Sequence, residues 1–100
     1  MLFIDTFHAY TQLKVELELH SMNVGKWIIM HDTFTFGDFA ENSKVAGTGL
    51  KRAIDEFLSE HQEWFKLSEL TNNNGLTILE RKIGIEALVE TDLVRVEMVR

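Results

Sequence analysis

Four residues of this chain have types and spacing that could do chemistry together. Asp5 closes the apolar run Leu2-Phe3-Ile4, and His8 follows it by three residues. A second apolar run, Trp27-Ile28-Ile29-Met30, is closed by His31 and Asp32. If the two runs are neighbouring parallel strands, they lie about 4.8 Å apart. Both aspartates then project at one edge of the sheet, where open α/β sheets place their ligands. Carboxylates that close repel each other unless a cation sits between them. Oxygen donors of this kind suit a hard divalent ion, Mg2+ or Mn2+, with His31 and His8 in place to add nitrogen. Plainer readings stand beside this one. An aspartate just past a strand can simply cap the next helix, and His31 beside Asp32 can be an oriented imidazole with a structural role. A metal-dependent hydrolase built on Asp5, His31 and Asp32 is a further alternative.

The elements that must hold these residues are legible as periodicity. Leu2-Phe3-Ile4 is wholly apolar, as in a strand buried on both faces. From about Ala9 to Met22, Tyr10, Leu13 and Leu17 recur at helical spacing, with Val15, Leu19 and Met22 widening the stripe. Asn23 and Gly25 should stop that helix. Trp27 to Met30 then gives a second strand, parallel to the first through a right-handed crossover. Residues 33–47 read as loop, and Phe34, Phe36 and Phe39 within it could be a lid or an anchor. Leu50, Ala53, Ile54, Phe57 and Leu58 form an amphipathic helix, with Thr48 the expected N-cap. Gly47-Thr48-Gly49 follows a polar loop instead of a strand and reads as a helix start, not a phosphate loop. Trp64 to Leu70 alternates as a strand, and Asn74-Gly75 predicts a tight hairpin into a strand ending near Lys82. Beyond residue 82 the pattern suggests a helix from Gly84, turning to strand after Thr91.

Composition bounds the rest. The chain has 100 residues, no cysteine and no proline, and a net charge of -6. One domain is expected. The absence of cysteine excludes disulfides, thiolate metal sites and cysteine catalysis. Acidic balance without a lysine or arginine cluster argues against nucleic acid and against an anionic membrane surface. No apolar run approaches the roughly 20 residues of a membrane span, and no basic stretch leads into an apolar signal region. The default location is cytoplasmic.

Taken together, LFIDTFHAYTQLKVELELH, KWIIMHDTF and NNNGLTILERK resemble the C-terminal half of a class I S-adenosylmethionine-dependent methyltransferase. The closest resemblance is to the cephalosporin-hydroxylase-like and metal-dependent small-molecule O-methyltransferase group. It covers residues 2–82 and leaves 83–100 as an extension. It implies a partial Rossmann-like α/β sheet, β-α-β-α-β-β with an antiparallel last hairpin. The N-terminal half of that fold, with its glycine-rich turn, is expected to be absent. Asp5 and Asp32 match metal ligands at the ends of the fourth and fifth strands. His31 stands where an acid can precede the second ligand, and Thr33 where many members carry an asparagine ligand. Asp5, His8 and Tyr10 match positions near the cofactor, and Thr33, Phe34 and Phe36 match the segment that shapes the acceptor pocket.

The resemblance implies methyl transfer to a small hydroxylated acceptor, aided by Mg2+ or Mn2+, with S-adenosylmethionine held only once the other half is supplied. The alternative is a non-catalytic module. An uncovered first strand would be an apolar edge, so self-association or a partner chain is expected there, unless Leu93 to Val99 folds back to cover it.

Overall fold

The computed structural model describes residues 1–82 and the backbone of Glu97–Val99. Its elements are β1 (Leu2–Ile4), α1 (Tyr10–His20), β2 (Trp27–His31), α2 (Leu50–Glu60), β3 (Trp64–Leu70), β4 (Leu76–Arg81) and β5 (Glu97–Val99). They build a small α/β fold with one mixed sheet, in the order β3-β4-β2-β1-β5. β1 and β2 are parallel neighbours, with Leu2 opposite Ile28 and Ile4 opposite Met30. β4 is antiparallel to both β2 and β3.

The outer edge of β1 is paired, in parallel, with Glu97–Val99. That part of the expected fold-back segment therefore belongs to the same sheet as residues 2–81. The helix expected from Gly84 and the stretch Leu93–Val96 lie outside the described residues. No helix among the described residues is long and apolar enough to cross a membrane.

Both helices lie on one side of the sheet. From β1 to β2 and from β2 to β3 the chain advances in the same direction across it. Right-handed crossovers therefore deliver α1 and α2 to the same face. There Leu2, Ile4, Ile28, Met30 and Leu79 close a core with Leu13, Leu17, Leu50, Ala53, Ile54, Phe57 and Trp64. Each fully buried leucine or isoleucine side chain contributes about 1.5–3 kcal/mol. The expectation of strands buried on both faces is corrected. Phe3, Trp27 and Ile29 are only half-buried, because neither described helix reaches their face.

α1 departs from its expected stripe. Leu13 and Leu17 face the core, but Val15, Leu19 and Met22 are 55%, 64% and 84% exposed. The two sets point to different sides of the helix, so the apolar stripe is narrower than the sequence suggested. The helix ends by tightening into a 3-10 turn, Ser21–Asn23, where the Val24 N–H donates to Ser21 O. Arg81 covers this end. It donates to Val24 O and Ser21 O at 3.1 and 2.9 Å and lies over the Trp64 ring.

α2 buries Leu50, Ala53, Ile54 and Phe57 as expected, with Leu58 partly buried against the same core. Its N-cap is Gly49, not Thr48. The first amides of α2 are satisfied by loop carbonyls, Leu50 N–H to Phe36 O and Lys51 N–H to Gly37 O. The Thr48 hydroxyl instead donates to Val45 O and accepts from the Ala40 N–H, pinning the loop closed.

The hairpin turn is one residue earlier than the sequence pointed. Asn73 and Asn74 both have positive φ, and the Gly75 N–H donates to Asn72 O. Asn73 and Asn74 are thus the central pair of an I′-type turn, which matches strand twist. Gly75 follows with φ +101°.

Candidate functional site

The parallel pairing of β1 and β2 carries Asp5, His31 and Asp32 to one rim of the sheet. One ligand atom from each of the three lies within 4.8 Å of the others. His31 Nδ1 is 3.1 Å from Asp32 Oδ1 and 3.9 Å from Asp5 Oδ1. The 3.1 Å separation matches adjacent positions around a divalent ion with ligands at about 2.0–2.2 Å, whereas 3.9 Å is wider than adjacent positions give. Asp5 and His31 are accessible, whereas the Asp32 side chain is 12% exposed. Asp5 does not cap α1, whose N-cap is Ala9 without a side-chain hydrogen bond.

Asp32 stands in a left-handed conformation, φ 62°. Aspartate and asparagine are the non-glycine residues that enter this region most readily. The hairpin turn holds it there. The Asp32 N–H donates to Gly75 O, and the Phe34 and Thr35 N–H groups both donate to Asn74 O, all at 2.9 Å. The Thr35 hydroxyl adds a bond to Asn74 Oδ1 at 2.8 Å. The asparagine run at 72–74 is therefore a buttress for the loop that presents Asp32.

His8 lies at the back of the rim. Its Nε2 is 2.8 Å from Asp32 Oδ2 and its Nδ1 is 2.9 Å from Glu41 Oε1. Its ring stacks on Phe36, with centroids 4.4 Å apart and planes 6° from parallel. Both ring nitrogens are buried, and neither close contact has hydrogen-bond angles.

The other residues singled out in the sequence go to different places. Tyr10 does not join the rim. Its hydroxyl donates to Glu56 Oε1 at 2.6 Å, beside Lys14 Nζ at 2.7 Å from the same oxygen, and Arg52 covers its ring. Thr33 is buried, and its hydroxyl is shared with that of Thr77 at 2.8 Å. Phe34 is 64% exposed, while Phe36 is the platform under His8. A shallow hollow of about 190 Å³ opens beside His31, between Leu70, Asn72, Asn73, Gly75 and Leu76.

Two site residues were missed from sequence. Glu41 lies in the loop and carries no local signal. Only the loop's fold returns it to His8. Glu16 could have been noticed, as a carboxylate three residues from Leu13 on the core side of α1. It is 4% exposed, and its Oε1 accepts from the Thr6 hydroxyl and from Gln12 Nε2, both at 2.6 Å. It thereby anchors the turn just after Asp5.

Comparison with known proteins brings no relative: no family model matches the chain, and no curated protein or solved structure is detectably similar to it.

Proposed function

We propose that this chain is part of an S-adenosylmethionine-dependent methyltransferase acting on the hydroxyl of a small acceptor, and that its own contribution is a divalent-cation site. One observation supports this above all. Asp5, His31 and Asp32 converge within 4.8 Å at the carboxyl edge of two paired parallel strands. The antiparallel hairpin that the resemblance implies stands next to them, β4 against β2.

Two carboxylates and an imidazole are a donor set that fits Mg2+ or Mn2+. A cation held there would lower the pKa of an acceptor hydroxyl and orient it. Asp5, with its exposed carboxylate, and Asp32, fixed by the hairpin, would hold the ion, and His31 would complete the protein's share. The hollow beside His31 is the nearest space for a small acceptor.

The residues implied for the methyl donor do not gather into one cradle. His8 is enclosed between Asp32 and Glu41, and Tyr10 points into the α1–α2 seam. The donor would have to be held by another segment or chain.

A second reading, a non-catalytic module that self-associates through a sheet edge, draws on a separate observation. With β1 paired on both sides, the relevant edge is β3, where Leu67 and Leu70 are 50% and 47% exposed. A bulge between Lys66 and Ser68, with Lys66 and Glu69 exposed alongside, blunts this edge.

Calorimetric titration tests the proposal. Mn2+ should bind the wild type and fail to bind Asp5→Asn or Asp32→Asn, the latter keeping a residue that tolerates φ 62°. S-adenosylhomocysteine, with and without Mg2+, tests the methyltransferase assignment separately. No heat with Mn2+ at millimolar concentration would remove the cation site. Ester hydrolysis without a methyl donor would favour a hydrolase instead. A concentration-dependent mass in sedimentation, lost in Leu67→Lys, would favour the module.

A further inference from the structure

We propose that Glu41 is a positioning residue for Asp32 and acts through His8. The proposal rests on the cation reading above and adds a residue that neither the motifs nor the resemblance pointed to.

Glu41 holds His8 from two directions. Its Oε1 accepts the His8 backbone N–H at 2.8 Å and lies 2.9 Å from the ring's Nδ1. Its own N–H donates to His8 O at 3.0 Å. The loop that carries Glu41 is itself closed by Gly47 N–H to Asp38 O and by Ala40 N–H to the Thr48 hydroxyl. The ring is then fixed in tilt by its stack on Phe36. With backbone and ring plane both held, Nε2 lies 2.8 Å from Asp32 Oδ2, nearer than the 4.0 Å to Asp5 Oδ1.

The consequence falls on Asp32, which has two oxygens and three claimants. Oδ2 faces His8, and Oδ1 faces His31 and the open rim. An oxygen committed to an enclosed imidazole cannot turn to the rim, so Oδ1 is the one presented to a cation. Outer partners that fix a ligand in this way are typically worth 10–100-fold in metal affinity. The surrounding contacts, not the direction of a bond, set the ring's place and hold Nε2 at 2.8 Å from Asp32 Oδ2.

The test uses Mn2+ titration of the full chain, with urea unfolding alongside. Glu41→Ala should weaken Mn2+ binding about 10–100-fold, and Glu41→Gln should recover part of the loss. His8→Ala should cost about as much, and adding Glu41→Ala to it should cost nothing more. Loop loosening alone would make the two losses additive. Asn42→Ala, exposed in the same loop, should change nothing.

If wild type binds Mn2+ and Glu41→Ala binds equally well within twofold, the positioning role is overturned while the cation site stands. If wild type takes no Mn2+, the cation site fails, and the positioning role is judged by the Asp32 side-chain carboxyl 13C resonance. A clear shift of that resonance in Glu41→Ala supports the role, and an unmoved resonance overturns it.

Discussion

Gly75→Ala should be the most damaging single-methyl change in the hairpin, and its cost can be worked out in parts. Gly75 has φ +101°. An alanine in left-handed territory costs about 1–2 kcal/mol. The methyl also has no room. A Cβ there would lie 2.6 Å from Phe34 Cβ and nearer still to Phe34 N, closer than real contacts allow. The turn must therefore back away from the loop that it braces. Three backbone hydrogen bonds cross that contact, from Asp32, Phe34 and Thr35. At about 0.5–1.5 kcal/mol each, losing all three adds roughly 1.5–4.5 kcal/mol. The sum, about 2.5–6.5 kcal/mol, is a large share of the 5–15 kcal/mol that holds an ordinary domain together. Gly47→Ala is the control. Gly47 also has positive φ, 83°, but nothing lies within 4 Å of its missing Cβ, so it should show the strain alone. Urea unfolding followed by the buried Trp64 reads the difference. With slopes of about 1–3 kcal/mol per molar urea, the Gly75→Ala midpoint should fall at least about 0.5 M below that of Gly47→Ala. Mn2+ affinity should fall with it, since the brace also sets Asp32. Equal midpoints for the two variants would refute the brace.

Two further outcomes follow from buried or linked polar groups. The hydrogen bond from Lys14, then that from Tyr10, holds the Glu56 carboxyl down from 4.5 to about 2 against the opposing effect of burial. Folded Glu56 is therefore more acidic than unfolded Glu56. Its stabilising effect is complete above about pH 4.5 and is lost as the pH falls toward 2. Glu56→Gln should flatten the stability profile in that window and leave its slope unchanged near neutrality. Thr33→Val or Thr77→Val alone strands a buried hydroxyl, at a cost of about 1–3 kcal/mol, whereas the double variant should recover much of it. Simple additivity in a denaturation cycle would show that the two hydroxyls do not depend on each other.

Local chemistry wrote much of this fold plainly. β3 begins and ends at the residues where alternation begins and ends, Trp64 and Leu70, and α2 buries the residues its spacing selects. The two apolar runs ending near Asp5 and Asp32 are parallel neighbours, as a short crossover between them requires. Each of these outcomes depends on periods of two or 3.6 residues, which a sequence carries in itself. What the sequence left open depended on objects that periodicity does not describe. Val15, Leu19 and Met22 look like core, but a helix can bury only the side that meets the sheet. Phe3 and Ile29 look fully buried, but both crossovers have the same hand and send both helices to the other face.

Asp5, His31 and Asp32 could be brought to one rim on paper, because strand ends are local features. The contacts of Asp32 could not. They come from Gly75 in a hairpin far along the chain, and from His8, itself held by Glu41 in a loop without periodicity. Burial and charge act at ångström range across long chain separations, so only the folded chain could decide which carboxylate oxygen faces His8 and which faces the open rim.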